Sequence, residues 1–442
     1  MQGTVWGGIF CTTTMDKLGQ IIYDNPELLY QYKNSVGIPA LEMVDDILDI
    51  QKCGIDSVKS NQVVNTFIEN KKLELGPNKC HKIHCGKKSV CCPNLKVHDK
   101  SMQDSDEERY LGDQIHESAK NVKTLSKRRA RGYAILSDII YIIESIPNGK
   151  RKIKVGLELR QSWFLNSILL NMETWHNIVD NDLKELKKLD NYLIRKIIGA
   201  HSKVPVEFLY LETSATPIEF ILKSRRINYL HTLLNRSDSE LTKKIYHAQK
   251  CNPIKGDWVT IVLEDLETVN ISLDEDEIGK TKKSIFKKLV RKHVKDATFT
   301  KLKEMQSEHT KINTIKYESF KIQPYIDSDI LTSEQISMLF NMRANTINGF
   351  KMCFSSMHRN DTMCKLGCME EDSLQHCMDC GVISQKIGRI SHVNLVGIFA
   401  TEKEQKITVS EFIQRKTIRT SIIEENRAGV GTHSCAVVGF AL

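Results

Sequence analysis

The sequence predicts an α+β fold: a mixed N-terminal region, a mainly helical middle and a small cysteine/histidine knot. Three observations carry this expectation. Residues 1–116 combine short apolar stretches, Gly/Pro/Asn punctuation and one long helical segment. Over residues 117–236 apolar side chains recur at helical spacing, as in Ile135, Ile139, Ile142 and Ile146, or Leu183, Leu186, Leu189, Leu193 and Ile197. Between positions 352 and 380, Cys and His cluster closely enough to share one ion.

The composition agrees with a folded chain. At 442 residues, 40% hydrophobic and 27% charged, it has enough apolar side chains for real cores. That excludes a disordered, collagen-like or disulfide-miniprotein class. At about 150 residues per domain, the length fits roughly three domains. The most apolar stretch, 134–146, is broken by Ser137, Asp138 and Glu144, and a membrane-spanning helix needs about 18 uncharged residues. No membrane partner is therefore expected. The stretch from Met1 to Gly8 has no basic region ahead of an apolar core, which predicts an intracellular protein of the cytoplasm or nucleus. In a reducing compartment the 13 cysteines read as buried thiols or metal ligands.

The segments are expected as follows. Residues 1–116 form the mixed region. Residues 117–236 form a helical domain, with breaks at Pro147-Asn148-Gly149 and Ile198-Gly199. Trp163, Trp175 and Tyr192 fall at helical spacing with apolar neighbours and are expected in its core. Residues 237–345 form a more polar helical connector. Its acidic stretch at 273–277 reads as a linker or exposed turn. An amphipathic helix follows over 280–303, with Ile285, Leu289 and Ala297 on one face, Phe286, Val290 and Val294 flanking, and Lys282, Lys283, Lys287, Lys288, Arg291, Lys292 and Lys295 on a basic face. Residues 346–385 hold the knot. Residues 386–442 carry few packing signals and receive no assignment.

The charge balance is modest, 63 Lys+Arg against 55 Asp+Glu for a net +8, but its placement is uneven. Besides the connector helix, Lys127, Arg128, Arg129 and Arg131 precede an apolar helical pattern. Phosphate backbone is the usual partner of such faces. Taken singly, each cluster is equally a solvated helix surface.

In the stretch 40–50, Asp45 and Asp46 sit between two apolar segments short enough to be strands. Adjacent strand residues face opposite ways, so both carboxylates reach one site only at a hairpin turn. Such a turn suits a pair of Mg²⁺ ions. In isolation the same dipeptide reads as a solvated turn.

In context, Gln2-Gly3, Met43-Val44-Asp45-Asp46, the run 75–83 containing Lys79, and Tyr110-Leu111-Gly112 follow one another in order. Together they resemble the reverse transcriptases of non-LTR retrotransposons, from the Gln-Gly element of the palm onward. The family's catalytic hairpin usually reads aromatic, Ala, Asp, Asp. Here Met43 and Val44 stand in its first two places.

The resemblance implies a partial palm over 1–116, a thumb over 117–236 and a connector beyond it. Gln2 and Gly3 would contact template and incoming nucleotide. Asp45 and Asp46 would be catalytic ligands of Mg²⁺ or Mn²⁺. Lys79 would approach the triphosphate as charge stabiliser or proton donor. Tyr110, Leu111 and Gly112 would support the primer end, and Lys127, Arg128, Arg129 and Arg131 would grip the duplex. The implied partners are an RNA template and a DNA primer.

The family places a further metal-binding Asp, and most of the fingers, ahead of the Gln-Gly element. Asp16 and Asp49 lie on the wrong side of the hairpin to replace that Asp. The chain is therefore expected to be inactive alone as an RNA-directed DNA polymerase, lacking the upstream palm, fingers and endonuclease segments of a parent element. The alternative is a non-catalytic nucleic-acid-binding protein derived from such an element.

The knot reads Cys364-x-x-x-Cys368, seven residues, His376-x-x-x-Cys380, a spacing that lets two short pairs bite one Zn²⁺ tetrahedrally. The family often carries such a motif beyond its thumb, and residues 338–343 resemble the apolar helix that precedes it there. The competing readings are a reduced, metal-free knot, and Cys377 as a ligand in place of its neighbour. A second group, Cys80, His81, His84, Cys85, Cys91 and Cys92, overlaps the strand after Lys79. Alternation there places Ile83 and Cys85 in the core, so no metal is assigned to it.

Overall fold

A computed structural model describes residues 5–431, apart from 44–45, 86–92, 98, 148–150, 176–179, 310–311, 347–362, 365, 369, 372 and 388–401. The architecture is α+β, with 61% of the described residues in helices. Among the described residues no strand is longer than four residues and no sheet exceeds two strands. Two compact units divide the chain. One comprises Met1–Arg131, Leu169–Lys184 and Leu222–Arg291, the other Gly132–Ile168, Glu185–Ile221 and Lys292–Leu442.

In the first unit, helices Val5–Tyr23 and Gly54–Asn70 share a core of Met15, Leu18, Ile22, Leu28, Ala40, Phe67 and Ile68. Between them lie two antiparallel hairpins, Tyr30–Tyr32 with Val36–Ile38 and Leu41–Met43 with Asp46–Leu48. In the second of these Met43 faces Asp46. Ile47 packs against the helical core, which fixes the hairpin's register through its buried face. A third hairpin pairs Glu107–Tyr110 with Asp113–His116. Its turn residues Leu111 and Gly112 both have positive φ, 49° and 92°, the geometry that matches strand twist across two-residue turns.

The acidic stretch at 273–277 proves to be a helix start. Asp274 accepts from the Glu277 amide and Glu277 returns the bond to the Asp274 amide, opening helix Glu275–Lys280. The Asp-x-x-Glu spacing is the signature of that reciprocal cap. In the following helix, Lys283–Ser307, the apolar face is also rotated from expectation. Phe286 and Val290 are buried while Ile285 is exposed.

In the second unit the expected breaks fall where the sequence placed them. Helix Val122–Ser145 stops ahead of Pro147, and helix Asp180–Ile198 stops at Gly199. Gly199 has φ +73°, and a Cβ there would lie 2.4 Å from Ser337 Oγ, so glycine is required on both counts. Two polar networks tie the unit together. Arg160, in a π-helical turn Arg160–Phe164, pairs with Asp190. Glu212 accepts from the Tyr317 hydroxyl, the Tyr325 hydroxyl and the Arg343 guanidinium. Of the expected core aromatics, Trp175 of the first unit is buried, whereas Trp163 is half-buried and Tyr192 exposed. The segment left unassigned contains helix Glu402–Gly431, which packs against helices Ser333–Arg343, Leu374–Asp379 and Gly381–Ile387.

Candidate metal centre

Short local elements assemble the knot. Met363 bridges Glu371 in antiparallel fashion, and within this bend the Gly367 amide donates to the Cys364 carbonyl at 3.1 Å. Gly367 has φ +85° with nothing near its missing Cβ, so it permits the tight knuckle that carries Cys364 and Cys368. Ser373 caps the next helix, its hydroxyl accepting from the His376 amide at 2.9 Å. That cap sets His376 in the first turn of Leu374–Asp379, and Cys380 follows the last.

The ligand atoms of Cys364, Cys368, His376 and Cys380 all lie within 4.8 Å of one another. Tetrahedral zinc with S and N ligands asks for ligand separations of roughly 3.3–3.8 Å, and the Cys368 and Cys380 sulfurs are 3.3 Å apart. His376 Nε2 is buried without a hydrogen-bond partner, while Nδ1 lies 2.7 Å from Glu370 Oε2. A buried ring nitrogen without a partner, in a side chain grouped with three thiols, has the environment of a metal ligand. Burial, then hydrogen bonding with Cys380 and Cys364, pushes the Cys368 thiol up to about 12. A bound cation reverses that preference and takes the thiolate. The four side chains could hold a metal ion, and their donor chemistry fits zinc. Cys377 is buried but stands outside the group. A zinc ion held by all four would have every tetrahedral position filled by protein.

Gln2, Gly3 and Asp45 lie outside the described residues. Asp46 is exposed at the start of its strand, and Lys79 is exposed in the turn Pro77–Lys79. The Tyr110 hydroxyl donates to the Leu41 carbonyl at 3.1 Å, bringing together hairpins 69 positions apart. Burial first, then the charges of Asp46 and Glu42, raise the Tyr110 hydroxyl above its ordinary pKa. Leu111 is exposed and Gly112 half-buried beside it.

Glu42, which the motif reading passes over, has Oε1 buried without a partner. Burial and then Asp16 push its carboxyl up to about 7. Its place between Leu41 and Met43 on a two-residue alternation was the available signal. Among the described residues the carboxylates near the hairpin form no metal-holding group.

Of the basic run, Lys127, Arg129 and Arg131 are exposed. Arg128 is turned inward, bonding Asp113 Oδ1 at 2.5 Å and lying over the Trp175 ring at 5.9 Å, which removes it from the expected phosphate face. In the second Cys/His group the strand covers only His81–Lys82, so the alternation stops short. Ile83 is half-buried and Cys85 exposed. His81 Nδ1 lies 3.0 Å from Glu108, while Cys91 and Cys92 lie outside the described residues.

No family model matches the chain, and no curated protein matches it.

Proposed function

We propose that this protein is a nucleic-acid-binding relative of non-LTR retrotransposon reverse transcriptases, with zinc in its Cys3His centre, which holds an RNA–DNA duplex without extending it alone. The observation that carries the reading is the Tyr110–Leu41 hydrogen bond. It sets the turn that resembles a primer support against the hairpin that resembles a catalytic one, and this pairing is what a primer end would require. The exposed Lys127, Arg129 and Arg131 supply phosphate contacts. RNA-directed DNA synthesis by the two-metal route would require carboxylates beyond Asp45 and Asp46.

The test is binding of a labelled RNA–DNA duplex across a salt series, with primer extension in Mg²⁺ alongside. Binding should weaken linearly in log salt, because each neutralised phosphate releases a counterion, about 0.9 units of slope per contact on B-form duplex. Arg129→Glu with Arg131→Glu should weaken binding and flatten the slope, while Asp46→Ala should leave it unchanged. Salt-independent binding would overturn the binding reading. Robust extension by the chain alone would overturn its inactivity.

A further inference from the structure

We propose that Glu370 is the positioning residue of the metal centre, holding His376 in the one tautomer whose Nε2 lone pair faces the three cysteine sulfurs. The inference rests on reading the Cys3His group as a metal site and assigns a role to a residue outside the ligand set. Glu370 touches two ligands at once. Its backbone carbonyl accepts from the Cys364 amide at 2.8 Å, and its Oε2 lies 2.7 Å from His376 Nδ1. A carboxylate accepts hydrogen bonds, so Nδ1 carries the proton and Nε2 is left as the acceptor. That Nε2 is the buried atom without a protein partner, in a residue 7% exposed. Within this short segment, then, one residue locks the first ligand through its backbone and orients the third through its side chain.

The Glu370 side chain is 69% exposed, so its pairing with His376 adds little to the fold by itself. Its effect should therefore appear in metal binding rather than in folding. A carboxylate that accepts from the outer ring nitrogen of a ligating histidine fixes ring orientation and basicity, and its loss typically costs 10–100-fold in metal affinity.

The experiment loads the full chain with Co²⁺, which reports both thiolate charge transfer and tetrahedral d–d bands, and then displaces it with Zn²⁺ against a colorimetric chelator. Glu370→Ala should lower Co²⁺ and Zn²⁺ affinity about 10–100-fold and move the d–d bands toward those of His376→Ala, with thiolate charge transfer retained. Glu370→Gln, whose amide oxygen can still accept from Nδ1, should keep more affinity than the alanine variant. Far-UV circular dichroism of the apo forms should be unchanged in both variants. Wild-type affinity and spectrum in Glu370→Ala would overturn the positioning role. So would an affinity loss with unshifted d–d bands, or equal losses in the two variants. A wild-type chain that takes up no Co²⁺ would instead overturn the metal site itself, a distinguishable failure.

Discussion

Arg160 and Asp190 form a two-pronged ion pair sealed from solvent, Nε to Oδ1 at 2.6 Å and Nη2 to Oδ2 at 2.7 Å. The Tyr210 hydroxyl donates to the same Oδ2 at 2.9 Å, and the Thr216 carbonyl accepts from Nη2 at 2.9 Å. Both carboxylate oxygens and two of the guanidinium nitrogens that burial strips of water thus find partners within the protein. Removing one member leaves a buried uncompensated charge, so Asp190→Ala should cost about 3–5 kcal/mol in urea unfolding. The double change Arg160→Met with Asp190→Leu should recover most of it. A single variant within about 1 kcal/mol of the parent would show that water reaches the pair.

Gly156 opposes two effects of known size. It lies inside helix Lys152–Leu159, where alanine is favoured over glycine by roughly 1 kcal/mol. A Cβ at that position, however, would lie 2.7 and 2.9 Å from the side chain of the buried Ile197, and overpacking typically costs about 1–3 kcal/mol. Packing should win. Gly156→Ala is expected to destabilise, and pairing it with Ile197→Val should recover part of the loss. A higher melting temperature for Gly156→Ala alone would mean that the two helices separate easily.

Metal removal should be felt beyond the knuckle. Cys380 directly precedes helix Gly381–Ile387, whose Ser384 hydroxyl accepts from Arg415 Nη1 at 3.1 Å. Arg415 also donates to Glu411 at 2.7 Å, and Val409 and Phe412 are fully buried beside it. One bound ion per chain is expected. Chelation should raise hydrogen exchange in Leu374–Asp379, in Gly381–Ile387 and in the part of Glu402–Gly431 that packs on them, leaving Gly54–Asn70 unchanged. Unaltered exchange in those helices would separate the centre from their docking.

Local features were legible in the sequence, and long-range ones were not. The knot could be read because all four ligands fall within seventeen consecutive positions, 364–380. Helix ends at Pro147 and Gly199 could be read because one residue decides each. The Glu212–Arg343 pair spans 131 positions, and nothing local indicates it. Arg128 lies between these cases. Counted as charge it joins a basic run, but the buried row Thr124, Arg128, Gly132, Ile135, Ile139 and Ile143 continues the helical stripe through it, and extending the apolar period one turn back would have turned it inward. The same check applies to Lys283–Ser307, where the buried row Phe286, Val290, Val294, Thr298 and Leu302 includes a threonine that an apolar count omits.

Glu42 should make the first unit less stable as pH rises. Its carboxyl is held up at about 7 against an ordinary 4.5, by burial first and by Asp16 second. Below pH 4.5 folded and unfolded chains both carry the proton, and the group's influence is neutral. Between pH 4.5 and 7 the unfolded chain releases the proton while the folded chain keeps it, so stability falls across that window and levels off above it. Asp49, raised chiefly by burial, acts with the same sign, so the comparison of interest is between the parent and Glu42→Gln. The glutamine variant keeps the shape without the proton, and its unfolding midpoint should decline less from pH 4.5 to 7 and exceed the parent's above pH 7. Parallel midpoint curves for the two chains would mean that Glu42 is already ionised in the folded protein, with water or a cation supplying the partner that its Oε1 lacks.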